Sequence, residues 1–129
     1  MSIPVTILFA HGARDPAWAK PFQALRDALL AARPEARVEL AFLELMEPGL
    51  PELVATLANE GVDEIVVVPV FLGRGGHLRR DFPVLMEAAR ARAPGVTVRE
   101  TPAVGELPAV IAAMSGAILG VIEARPAAL

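Results

Sequence analysis

The stretch that decides the fold is ILFAHGARDP, residues 7–16. Its first four residues continue an apolar run that begins at Pro4, as expected for a buried strand. The run ends abruptly at His11, and the Asp15-Pro16 pair has the pattern of a helix N-cap followed by a first helical residue. The stretch therefore predicts a strand, a loop that begins with a histidine, and a helix.

The same pattern recurs along the chain. Apolar or β-branched segments at 4–10, 37–45, 64–68 and 96–99 predict four strands, and a helix-like spacing of apolar residues follows each of them. Because strands and helices alternate, we expect a four-stranded parallel sheet with helices on both faces. Right-handed crossovers favour the order 2-1-3-4, in a three-layer α/β fold of the flavodoxin type.

The last predicted helix lies in an uncharged run, residues 107–122. The run is shorter than the roughly 20 residues that a membrane span needs, and it contains Pro108, Gly116 and Gly120. We therefore expect a helix that is buried against protein.

Composition narrows the class of protein. The length of 129 residues predicts one domain, residues 1–129, and a hydrophobic content of 54% with 21% charged residues excludes a disordered chain. A net charge of −3 argues against a nucleic-acid partner. The absence of cysteine excludes disulfides and thiolate metal sites, and the N-terminus lacks the cationic segment of a signal peptide. We expect a cytoplasmic protein with neither a membrane nor a nucleic acid as partner.

Three chemically active side chains follow three predicted strands. His11 ends the first strand, Glu44 ends the second, and His77 lies just beyond the third, with a spacing of 33 residues in each step. Open parallel sheets bind ligands outside the carboxyl ends of their strands, so the three should share one rim. Two imidazoles and a carboxylate can bind a divalent transition metal and can transfer protons near neutral pH.

Each of these residues also has a plainer interpretation. A single histidine beside glycine is more often a hydrogen-bonded loop residue than a ligand, and Glu44 could face solvent or cap a turn. Arg14, Arg79 and Arg80 are either solvated residues at helix starts or partners for substrate carboxylates. The GRGG segment, residues 73–76, lacks the pattern of a P-loop or a Rossmann turn, and we interpret it as a flexible lip that a bulky ligand can approach.

These segments resemble a known family. FAHGARDP (9–16) looks like the H-G-S-R-D-P opening of the small class II chelatases, and AFLELMEPGLPE (41–52) is similar to their second-strand segment. VVVPVFLGRGGHLRRDFP (66–83) resembles their P-x-F-L-x-x-G-x-H-x-x-x-D-[IL]-P signature. The family is that of the sirohydrochlorin chelatases of the short CbiX/SirB type. The sequence departs from it at Ala13, where Ser is usual, and at Phe82, where Ile or Leu is usual.

The resemblance implies the insertion of Co²⁺ or Fe²⁺ into sirohydrochlorin, in cobalamin or siroheme biosynthesis. It implies a lyase with no permanent cofactor, which takes the divalent metal (Co²⁺, Fe²⁺ or Ni²⁺) as a substrate and pairs as a homodimer. By position, His11 and His77 match the family's active-site histidines and Glu44 matches its acidic residue, as catalytic and metal-binding groups. The implied substrate contacts are Arg14, Arg74, Arg79 and Arg80 as counter-charges, Phe71, Leu72 and Leu78 as an apolar ledge, and Gly75 and Gly76 in the lip.

Two other functions compete with this one. A non-catalytic metal-binding or metal-delivery protein would bind Co²⁺ or Ni²⁺ through the same histidines without turning over a tetrapyrrole. A flavodoxin-like nucleotide or flavin binder would need a better phosphate loop than this sequence offers.

Overall fold

The computed structural model describes residues 3–124, without the side chain of His77. Within that range the strands are β1 (Val5–Ala10), β2 (Val38–Phe42), β3 (Glu64–Pro69) and β4 (Thr97–Glu100). The α-helices are α1 (Lys20–Ala32), α2 (Leu50–Asn59), α3 (Gly76–Ala91) and α4 (Pro108–Glu123). Two short 3₁₀ helices, η1 (Pro16–Ala19) and η2 (Val104–Glu106), precede α1 and α4.

The four strands form one parallel sheet in the order β2-β1-β3-β4, which confirms the predicted fold class. In the register of the two central strands, Phe9 of β1 lies opposite Ala41 of β2 and Pro69 of β3. The strands therefore end close to one another, and the loops that follow them emerge along a single edge of the sheet.

The two faces of the sheet are covered unequally. The larger core lies between the sheet and helices α2 and α3, and it includes Phe9 and Phe82, whose ring centroids are 5.2 Å apart. Burying a large apolar side chain contributes about 1.5–3 kcal/mol, so this core dominates the stability of the domain. The opposite face carries α1 and a much smaller cluster of buried residues, Ala10, Ala19 and Phe42.

Helix α4, for which the sequence predicts burial against protein, is not buried within the described part of this chain. Among the described residues it packs chiefly against η2, and it has no buried residue of its own. Ile118 and Ile122 are 58% and 71% exposed. Apolar composition indicates that a helix needs a cover but does not say which surface supplies it, and the described part of this chain does not supply one. In the described part of the chain, no helix combines the length and the hydropathy that crossing a membrane requires.

Two element boundaries differ from the predicted ones near the functional edge. Strand β2 ends at Phe42 rather than at residue 45, because the chain turns there and Leu45 takes a left-handed φ of 65°. Helix α3 already includes Gly76, so His77 lies in the first turn of a helix rather than in a loop.

Candidate active site

The structure brings two of the predicted site residues together, His11 and Glu44. Their backbones meet first: the N–H of Leu43 donates to the carbonyl of Ala10 at 2.9 Å, and the N–H of Glu44 donates to the carbonyl of His11 at 3.1 Å. The side chains follow, with Nδ1 of His11 3.8 Å from Oε1 of Glu44 and each side chain about half exposed (50% and 51%). An imidazole and a carboxylate thus stand side by side at the carboxyl edge of the sheet, open to solvent.

Gly12 is the residue that allows this approach. Its φ is +93°, in the region that favours glycine, and a Cβ at this position would overlap the backbone carbonyl of Glu44. The loop after β1 therefore presses directly on the loop after β2. Gly12 was not selected from the sequence, although its place directly after His11 was the available signal.

His77 is placed by its backbone alone. It lies in the first turn of α3, which begins at Gly76 after the loop that follows β3. Its side chain lies outside the described part of the chain, so its convergence on His11 and Glu44 stays a prediction. Among the side chains that the structure does describe, there is no group of three or more metal-ligating residues.

The segment 71–76, which leads into His77, is held at its start by contacts with η2 and with the core. The N–H of Gly105 in η2 donates to the carbonyl of Phe71 at 2.8 Å, and a Cβ on Gly105 would overlap the backbone of Leu72. The ring of Phe71 packs against Phe9, with centroids 6.0 Å apart. Only a residue without a side chain lets η2 approach this closely, so Gly105 helps to fix the start of α3.

The predicted apolar ledge is only partly available. Leu72 is 73% exposed and fits that role, but Leu78 is 6% exposed and belongs to the core under α3. Phe71 is partly buried against the same core. Leu78 is therefore corrected from a ledge residue to a core residue. Leu45, which was missed, is 58% exposed next to Glu44, and its left-handed backbone is a conformation often found at functional sites.

Arg74 also differs from its predicted role as a rim cation. Its guanidinium donates to the carbonyl of Thr101 at 3.2 Å, lies 3.7 Å from the carboxylate of Glu100, and stands 5.4 Å from the ring centroid of Phe82. Its Nε is buried and has no hydrogen-bond partner among the described residues. Arg74 thus ties the lip to the end of β4, because its polar contacts point into the protein.

Replacing Arg74 by methionine should lower the free energy of unfolding by about 1 kcal/mol, since the hydrogen bond to Thr101 is lost while the buried stem is kept. Chemical denaturation measures the change. Arg99→Met is the matched control, because Arg99 is exposed on β4 and makes only a long ion pair, with its Nε 3.8 Å from Oε1 of Glu64. It should change stability by less than about 0.5 kcal/mol. Equal effects of the two variants would contradict the tying role of Arg74.

The remaining rim arginines stay exposed, as predicted: Arg14, Arg79 and Arg80. Among the atoms that the structure describes, a Cβ on Gly75 would meet none within 4 Å, and one on Gly76 would meet only the guanidinium of Arg80. The lip around Gly75 and Gly76 is therefore open to a large ligand.

A groove of about 320 Å³ runs along the α1 side of the same edge. Ala13 and Arg14 line one wall, and Leu45 and Met46 line the other. The groove offers apolar surface, and its lining carries one cation, Arg14, and one carboxylate, Glu47. It is too small to enclose a tetrapyrrole, so a ligand of that size would lie across the edge rather than inside it.

The fold and this edge define a flavodoxin-like α/β domain with an open imidazole–carboxylate site. The CbiX family model matches residues 5–119, and the chain belongs to that family.

Named relatives agree with this membership. The chain is similar to the sirohydrochlorin cobaltochelatases of Methanopyrus kandleri, at 39% identity over 80 residues, and of Sulfurisphaera tokodaii, at 35% over 81 residues. These alignments cover 62% and 63% of this chain, and 56% and 66% of the two relatives. The chain thus spans only about half to two thirds of the length of these relatives.

Solved structures show the same fold. A cobalamin (vitamin B12) biosynthesis CbiX protein from Marinobacter aquaeolei VT8 superimposes with a TM-score of 0.81 at 32% identity, over 94% of this chain and 98% of that one. The sirohydrochlorin chelatase SirB from Bacillus subtilis subspecies spizizenii, in complex with cobalt, gives a TM-score of 0.64 at 26% identity. That match covers 78% of this chain and 44% of SirB.

Proposed function

We propose that this domain inserts a divalent metal, Co²⁺ or Fe²⁺, into sirohydrochlorin, in cobalamin or siroheme biosynthesis. The observation that carries the proposal is the contact between His11 and Glu44 at an open sheet edge, in a chain of the CbiX family. Relatives named sirohydrochlorin cobaltochelatase and a SirB structure with cobalt support the choice of substrates.

Metal insertion needs a site that holds an ion loosely. Two donor atoms that bind one transition-metal ion at about 2.1 Å lie about 3 Å apart, and Nδ1 of His11 is 3.8 Å from Oε1 of Glu44. Because both side chains are half exposed, a small rotation brings them to that spacing. Nδ1 also lies 3.3 Å from the carbonyl of Gly12; that contact needs a proton on Nδ1, so it is given up when Nδ1 binds the ion. With His77 as a third ligand, coordination positions remain free for the pyrrole nitrogens.

The reaction also releases two protons, because the pyrrole N–H groups of the ring must be deprotonated as the metal enters. Glu44 and the imidazoles become available as proton acceptors once the ion has moved from them to the ring. Their solvent exposure then lets the protons pass to water. The same groups thus serve first as metal ligands and then as bases.

The substrate would be held by contacts on both sides of His11. Arg14 on one side, and Arg79 and Arg80 on the other, supply positive charge for the carboxylates of the macrocycle. The exposed side chains of Leu45 and Leu72 supply apolar contacts for its face. Phe71 and Leu78 support this surface from the core.

Further properties belong to the same proposal. Residues 1–129 act as a single cytoplasmic domain that holds no permanent cofactor, with the metal as substrate. The functional unit is a homodimer, because the chain corresponds to 44% of the SirB chain that it matches.

The test is an insertion assay with catalytic amounts of protein. We expect sirohydrochlorin with Co²⁺ or Fe²⁺ to be converted over many turnovers, well above the rate of a control without protein, as followed by absorbance. Ni²⁺ serves as a third metal. Binding of one metal ion per chain without accelerated insertion would contradict the proposal and favour a metal-delivery protein.

A further inference from the structure

The lip, residues 73–76, has a single side chain to hold it. Its sequence is Gly-Arg-Gly-Gly, so only Arg74 can make side-chain contacts. A Cβ on Gly73 or Gly75 would meet no described atom within 4 Å. Between Leu72 and Arg74, no backbone N–H donates to a described backbone carbonyl. Because glycine has the greatest backbone freedom, the lip would take many conformations without the contacts of Arg74.

The guanidinium of Arg74 ties the lip to the end of β4. It donates to the carbonyl of Thr101 at 3.2 Å, and its Nη1 lies 3.7 Å from Oε2 of Glu100, the last residue of that strand. Thr101 is itself held, because its N–H donates to the carbonyl of Val67 in β3 at 3.0 Å. The side chain of Arg74 is only 21% exposed, so the sheet gives the lip a fixed point that is largely shielded from water.

The ring of Phe82 provides a second support. The guanidinium carbon of Arg74 stands 5.4 Å from the ring centroid, within the range of a cation–π contact. Phe82 is 1% exposed and packs against Phe9 in the core. Because Phe82 belongs to α3, Arg74 is also held against the helix that the lip leads into. An isoleucine or leucine, which is usual at this position in the family, would offer the cation no such ring.

We propose that Arg74 is a positioning residue: it fixes the lip and the start of α3, so that the backbone of His77 is held at one place along the edge that carries His11 and Glu44. The inference rests on the proposed function, in which His77 is the third metal ligand. A donor on a mobile loop must be ordered when the ion binds, and that loss of entropy lowers affinity. Arg74 reduces this cost, because it orders the lip before the ion arrives.

Arg74 is poorly placed for the other role open to it, that of a counter-charge for a substrate carboxylate. Its Nε is buried and finds no hydrogen-bond partner in the described part of the chain. Turning the guanidinium outward would break its contacts with Thr101 and Phe82. Arg79 and Arg80 are exposed and can contact a ligand without such a loss. Arg74 should therefore affect the binding of the metal alone, whereas a counter-charge would affect only the binding of the tetrapyrrole.

A double-mutant cycle on the affinity for Co²⁺ alone, measured by competition with a chelating dye, tests this role. Arg74→Met should weaken Co²⁺ binding about tenfold in the wild-type chain, as is typical of a residue that orients a metal ligand. In the His77→Ala chain the same substitution should change the affinity by less than about twofold, because no third ligand is left to position. Equal weakening in both backgrounds would show a general structural effect and overturn the proposal, as would no weakening in either.

Amide hydrogen exchange of the metal-free protein tests the same tie without any ligand. The N–H of Arg79 donates to the carbonyl of Gly75 at 3.0 Å and so reports on the first turn of α3. Its exchange should be at least about tenfold faster in Arg74→Met and unchanged in Arg99→Met, the matched control. Unchanged exchange in Arg74→Met would overturn the proposal. Faster exchange in Arg74→Met, with no Co²⁺ binding by the wild type, would support the tie and contradict the proposed metal site, so the two failures are distinguished.

Discussion

Replacing His77 by alanine is expected to abolish metal insertion, with a loss of at least about a hundred-fold in rate, while the fold stays intact. The substitution removes the second imidazole, and His11 with Glu44 would be left as a two-donor site. The fold should persist because position 77 lies in the first turn of α3, where alanine is the most favourable helix former. The insertion assay and a thermal unfolding curve measure the two effects separately.

Val84→Ala is the control for this variant. Val84 lies on the same helix, is largely exposed and takes no part in the proposed site, so insertion should continue at the wild-type rate. If His77→Ala also retains the wild-type rate, the assignment of His77 as a metal-binding and catalytic residue is refuted.

The sheet and its order could be predicted because local signals specify them. β-branched runs such as 64–68 identify buried strands, and handed crossovers leave few orders for four parallel strands. The contact of His11 with Glu44 follows from the same facts, since parallel neighbours end at one edge. The predicted strand ends therefore identified His11 and Glu44, the two site residues whose side chains the structure brings together.

The errors have physical causes as well. Leu78 lies four residues before Phe82, which in turn lies four before Met86, and this spacing forms one buried helix face. The face was missed at Leu78 because the helix was expected to start later. Arg74 could not be placed from local pattern, since its partners, Thr101 and Glu100, lie at the end of β4.

Replacing Gly12 by alanine is expected to damage stability and activity together. The left-handed φ of +93° costs a non-glycine residue about 1–2 kcal/mol, and the new Cβ would overlap the carbonyl of Glu44. The loops after β1 and β2 must then separate, which carries His11 away from Glu44. We expect the free energy of unfolding to fall by about 2–3 kcal/mol and the folded fraction to insert metal at least about tenfold more slowly.

Gly61→Ala separates the two causes. Gly61 has nearly the same φ, +91°, but a Cβ there meets no described atom within 4 Å, so alanine adds backbone strain without a collision. Gly61→Ala should therefore cost about 1–2 kcal/mol in stability and leave the insertion rate unchanged. Gly12→Ala should cost more and should also slow insertion. Equal losses of stability, with full activity in both variants, would show that close contact between the two strand ends is not what holds His11 and Glu44 in place.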